Sequence, residues 1–272
     1  VSNPGPASDT LPRRPLTVGE LLDASIGLLR RCGWPVILLG LLLAAGQQGV
    51  AVVLTALLDG ERAPFGNWLW LACWLGMEAG IIAVLGAPAA TAAAATLLGE
   101  PVDRRRLLAS PGLRWGGTLL AGAVVGVLAM FGVLACGLPW LVVYGGTGLV
   151  VPVIVIDRAG TRAAIERPVQ LVLRGAARPA GVRLLAYLTW LAIRLPVGLV
   201  GAALLSTTGV TGAAALLLGA LPWVAVDAVA YPALACLDAC LHVENRMRVE
   251  GLDIALGRTS PAAARRTLES TP

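Results

Sequence analysis

The sequence predicts an all-α fold: a polytopic membrane bundle of six transmembrane helices with two interfacial amphipathic helices, both termini on the cytoplasmic side. Three observations carry that expectation. Apolar residues make up 57% of the 272 residues, charged residues only 14%, and the mean hydropathy is +0.79, which leaves too little charge to coat a soluble domain. The apolar residues gather into runs long enough to cross a bilayer, which takes about 20 residues. Between the runs, 19 of the 21 arginines fall in alternate segments, and the chain has no lysine.

Residues 1–16, rich in proline and small polar residues, are expected to form a disordered cytoplasmic tail, without the basic, apolar and small-residue order of a signal peptide. Thr17 and Glu20 then make the T-x-x-E capping box that opens a helix over 17–31. Val18, Leu21, Leu22, Ser25, Ile26 and Leu29 share one face of it, and Glu20, Asp23, Gly27, Arg30 and Arg31 the other. That pattern suits a helix lying in the membrane interface, with a partner-binding helix as the rival reading.

The membrane domain covers 17–250, with spans at about 34–58, 68–97, 115–135, 139–156, 184–206 and 213–236. The second is longer than a bilayer needs, and tilt or a kink at Pro88 would absorb the excess. The apolar run over 115–156 is too long for one span, and the turn signal Cys136-Gly137-Leu138-Pro139 cuts it into a hairpin. The last helix is expected to run on through Asp238 and His242 towards Glu250, leaving 251–272 as a cytoplasmic tail.

Charge orients the bundle. Four arginines precede the first span, four lie between 98 and 115, six between 157 and 183, and five after the last span, while the opposite loops hold only Arg62. By the positive-inside rule the arginine-rich segments are cytoplasmic. Those arginines are the candidate surface for anionic lipid headgroups or a partner: Arg30 and Arg31, Arg104 to Arg106, Arg162, Arg167, Arg174 and Arg178, and Arg246 and Arg248. A second interfacial helix over 161–178 would present Glu166, Arg167, Gln170, Arg174 and Arg178 on its polar face and Ile165, Pro168, Val169, Val172, Leu173 and Ala176 on its apolar face.

Three ionisable residues are left inside the spans: Glu78, Arg194 and Asp227. Each costs a few kcal/mol near the bilayer centre when unpaired, so partners are expected. Arg194 lies 15 residues before the turn at Gly209 and Asp227 lies 18 after it, so their depths differ by only about 5 Å at the helical rise. Glu78 reaches a similar depth on another hairpin. The cluster reads either as a structural pin between the two halves of the protein or as a polar pathway for a proton, an ion or a lipid headgroup.

Composition also excludes. No basic run is interleaved with stacking aromatics, so nucleic acid is not an expected partner. The five cysteines (Cys32, Cys73, Cys136, Cys236 and Cys240) are odd in number and sit in or beside apolar segments, where small buried thiols are expected rather than disulfides. With a single histidine, His242, neither a metal site nor a Ser-His pair is expected. No phosphate-cradling loop precedes Lys-Ser or Lys-Thr, and Gly145-Gly146-Thr147-Gly148 reads as a close-packing stretch inside a span. The expectation is no catalytic residue, no metal and no cofactor.

Three stretches carry a resemblance. I-D-R-A-G-T-R-A-A-I-E-R-P-V-Q-L (156–171), R-P-L-T-V-G-E-L-L-D-A-S (14–25) and H-V-E-N-R-M-R-V-E-G-L-D-I (242–254) together resemble bacterial membrane proteins related to the membrane domain of glycerophosphodiester phosphodiesterases. The chain departs from that pattern at Asp157, Pro168, Val169 and His242. The resemblance implies a six-helix bundle with its N-terminus inside, of a kind found alone in actinobacteria, without the soluble domain that carries the phosphodiesterase chemistry. The expected function is therefore a non-enzymatic scaffold or accessory protein of the bacterial inner membrane, contacting anionic lipids or an envelope-related partner. The alternative is a small transporter or lipid-handling protein that uses the intramembrane charge cluster.

Overall fold

Thr17 caps the first helix as its spacing from Glu20 requires: its hydroxyl accepts from the Glu20 amide at 3.3 Å, and the Glu20 carboxylate accepts from the Thr17 amide at 2.8 Å. The structure, a computed structural model, describes residues 11–57, 64–159, 166, 167, 170, 171, 174 and 177–269. Its helices in chain order are α1 (Val18–Cys32), α2 (Trp34–Leu57), α3 (Pro64–Leu98), α4 (Trp115–Leu134), α5 (Leu138–Thr147), α6 (Val150–Val155), α7 (Arg178–Ser206), α8 (Gly212–Glu250), α9 (Leu252–Arg258) and α10 (Pro261–Glu269). Two single-turn 3-10 helices lie between α3 and α4.

Six segments are long and apolar enough to cross a membrane: α2, α3, α4, α5 with α6, α7, and α8. The third and fourth are joined at the expected turn, where Cys136 and Gly137 both take positive φ. The α3 and α4 backbones approach closely, since a Cβ on Gly76 would meet the Gly126 carbonyl oxygen at 2.8 Å and one on Gly80 the Gly122 carbonyl oxygen at 2.9 Å. The fourth span is broken, with α5 ending at Thr147 and α6 starting at Val150.

Helix α8 is the pillar of the bundle. It runs for 39 residues and packs against α1, α2, α3, α6 and α7. From residue 227 to 247 every position but Val229 is buried.

Several boundaries move. Leu11 and Leu16, placed by sequence in a disordered tail, are buried, and Arg13 donates to the Leu97 carbonyl oxygen at 3.2 Å. Residues 251–272, expected as a tail, contain α9 and α10, and α10 lies against α3. The α1 face expected to meet lipid is covered by α8 and α3, with Leu21, Ser25 and Leu29 buried, although Ile26 stays exposed. Of the second interfacial helix expected over 161–178, residues 161–165 with Arg162, and all six residues of its apolar face, lie outside the described residues. Glu166, Arg167, Gln170, Leu171 and Arg174 are helical, whereas Arg178 opens α7 behind Ala177, which takes a left-handed conformation. The cysteines are free thiols, of which Cys136 is exposed rather than buried.

Candidate functional site

Three arrays of charged side chains lie inside the bundle, and α8 contributes to each. In the first, Arg194 on α7 forks onto Glu78 on α3, with its two terminal nitrogens 2.7 and 3.2 Å from the two carboxylate oxygens. One of those nitrogens also reaches Asp227 Oδ1 on α8 at 3.1 Å. The structure thus brings together the three residues singled out by sequence. Tyr231, one turn after Asp227, lies 3.1 Å from Asp227 Oδ2 and 2.8 Å from Gln47 Oε1, which ties in α2. Gln47 and Tyr231 carried no signal as site residues, because an uncharged polar group within a span is unremarked until its neighbours are known.

The second array pairs Arg183 on α7 with Asp238 on α8, Nε to Oδ1 at 2.7 Å, and both are buried. Arg183 also donates to the Tyr144 carbonyl oxygen and stacks 4.0 Å over the Tyr144 ring. The pair lies against the break between α5 and α6. A Cβ on Gly148 would sit 2.6 Å from Arg183 Nε and 2.8 Å from Asp238 Oδ1, so only glycine leaves room for the pair. Gly145 admits Ala180 of α7 in the same way, while Gly146 meets nothing.

The third array lies where α6 ends. Asp157 Oδ1 accepts from Arg246 at 2.8 Å and from His242 Nε2 at 3.0 Å, and Oδ2 accepts from Arg167 at 2.7 Å. Arg167 and Arg246 both continue to Glu250, at 2.9 and 2.8 Å, closing a ring of alternating charge. Burial pushes the Asp157 carboxyl up, but His242, Arg246 and Arg167 outweigh it and hold the group at about 2, below its ordinary 3.8. Beside this ring Glu244 takes Arg178 at 2.8 Å and Arg248, and both arginines donate to the Leu16 carbonyl oxygen at 2.9 and 2.7 Å. Asn245 ties in Leu171 through its carbonyl oxygen at 2.8 Å. The three stretches 14–25, 156–171 and 242–254 therefore meet in one place.

This corrects the expected headgroup surface. Arg246 is buried, Arg167 nearly so, and Arg178 and Arg248 are turned onto Glu244. Their charge neutralises carboxylates of the same chain. Arg104 is exposed but donates to the Arg30 and Arg31 carbonyl oxygens, both at 2.9 Å, where a cation stabilises the C-terminal end of α1. Arg30, Arg105, Arg106 and Arg174 are exposed, and Arg31 is half-buried. Near them a cavity of about 410 Å³ opens between α10, the end of α6 and the α3–α4 connection, with Arg106, Arg158 and Arg265 facing Glu100, Asp103 and Glu269.

The Asp157–His242 contact has half the form of a general-base unit. Among the described residues, His242 Nδ1 has no hydrogen-bond partner. The chemistry these arrays offer is charge neutralisation. Fold and arrays together define a multi-pass helical membrane protein with matched ionic pairs inside the bundle. Compared with protein-family models, curated proteins and solved structures, the chain matches none.

Proposed function

We propose that the chain is a non-enzymatic scaffold or accessory protein of the bacterial inner membrane, with both termini cytoplasmic. Its charged end engages anionic lipid headgroups or an envelope-related partner. One observation carries this reading: among the described residues, every buried Asp and Glu is paired with an arginine, and every buried Arg with a carboxyl group, of the same chain. Groups matched in this way lock helices together, whereas a working pathway needs charges that exchange partners. The meeting of the three stretches that resemble glycerophosphodiester phosphodiesterase membrane domains supports treating them as one structural unit.

The headgroup contact is assigned to Arg30, Arg105, Arg106 and Arg174, exposed at the same end of the bundle. Each arginine near an anionic surface contributes about 1 kcal/mol. Reconstituted protein is expected to enrich anionic over neutral lipid in its bound shell, less so at high salt, and the fourfold change of these arginines to glutamine should abolish the enrichment. Enrichment that is indifferent to salt and to those changes would overturn the headgroup assignment. Solute or proton flux in proteoliposomes that is lost in Glu78→Gln would favour the transport reading instead.

A further inference from the structure

The hydrogen bonds around Asp227 fix where the protons of the first array lie. Gln47 Nε2 donates to the Trp74 carbonyl oxygen at 3.2 Å. A carbonyl only accepts, so the Gln47 atom turned towards Tyr231 is the amide oxygen. That oxygen also only accepts, and at 2.8 Å it takes the single hydroxyl proton of Tyr231. Yet the Tyr231 oxygen also lies 3.1 Å from Asp227 Oδ2, a contact in which the lone pairs of two buried acceptor oxygens repel unless a proton lies between them. Tyrosine has none left to give. The other Asp227 oxygen, Oδ1, accepts from Arg194.

We propose that Asp227 is a proton-holding site: at neutral pH it is a carboxylic acid, its Oδ2–H donating to Tyr231, and Glu78 is the sole carboxylate opposing Arg194.

Charge balance argues the same way independently of the hydrogen bonds. The groups facing Asp227 are Gln47 from α2, Glu78 from α3, Arg194 from α7 with the Tyr187 ring 5.9 Å behind its guanidinium, and Tyr231 from α8 itself. Two ionised carboxylates against one guanidinium would leave a net negative charge at positions that are 1% and 0% exposed, while one proton brings the array to neutrality. The geometry divides the roles accordingly, since Glu78 receives the two-pronged contact and Asp227 a single one. Proton placement goes beyond the scaffold reading and holds whether or not that reading does.

Infrared spectroscopy of the full-length protein in detergent at neutral pH tests it, through the carbonyl stretch that only a protonated carboxyl gives. The wild type should show such a band. Asp227→Asn should remove it and still fold, because an asparagine amide can donate to Tyr231 and accept from Arg194 as the acid does. Tyr231→Phe should shift the band, since the acid loses its acceptor. A wild type without the band, or a band that survives Asp227→Asn unchanged, overturns the proposal. If Asp227→Asn does not fold, Tyr231→Phe decides: a shifted band supports the proposal and an unmoved one overturns it.

Discussion

The two halves of α8 belong to one uninterrupted helix and meet different surroundings. Residues 212–226 hold no charged residue, and none of them is buried; with the facing part of α7 they form a hairpin open to the outside. Residues 227–247 are buried almost throughout and carry Asp227, Asp238, His242, Glu244, Asn245 and Arg246. In water burial follows apolar residues. Against lipid, which is as apolar as leucine, polar groups are the ones that must turn inward. The comparison teaches that the interior of this bundle is marked by its ionisable side chains, and that apolar length alone reports only the capacity to span.

The sharpest way to break that contrast is to strip one partner from a buried pair. Asp238→Ala leaves Arg183 uncompensated and should cost about 3–5 kcal/mol in a detergent unfolding titration, the usual cost of orphaning a buried charge. A loss below about 1 kcal/mol would mean that water reaches Arg183.

Acid probes the third array. Because the Asp157 carboxyl sits lower in the folded protein, at about 2, than its ordinary 3.8, the stabilisation is complete above pH 4 and is lost as pH falls through about 2. The shift is worth about 2 kcal/mol. Thermal unfolding followed from pH 5 to pH 2, compared with the same titration of Asp157→Asn, isolates the contribution, which should vanish in the variant.

Gly148→Ala sharpens the comparison at the break in the fourth span. Its new methyl would press on Arg183 and Asp238, and overpacking of that kind costs about 1–3 kcal/mol. The unfolding midpoint should fall accordingly, whereas Gly146→Ala, which meets nothing within 4 Å, should leave it unchanged. At the small end, Leu217→Ala in the open half of α8 should change stability by less than about 0.5 kcal/mol. A larger loss there would show that the outer hairpin is covered by something more specific than lipid.

The six apolar segments and the triad were legible in the sequence for the same reason. Glu78, Arg194 and Asp227 stand alone in apolar runs, and the turn at Gly209 sets the last two at matching depths. Arg183 and Asp238 were hidden because each falls at the edge of an expected span, where a charged residue needs no partner. Only the longer helices α7 and α8 carry them inside. The arginine count gave every loop its charge but could not separate lipid-facing arginines from those spent on carboxylates. The distinction depends on contacts such as Arg246 with Asp157, 89 residues apart. The docking of Leu11 and Leu16 was hidden likewise, since a short segment beside prolines carries no periodic pattern.

The central claim, that the charges within the bundle form matched structural clamps, is tested most directly by a double-mutant cycle of Glu78→Leu and Arg194→Met in detergent unfolding. Each single change should destabilise strongly, and the double variant should recover much of the loss, with a coupling energy of roughly 2–3 kcal/mol. Additive losses, with no coupling, would contradict the claim.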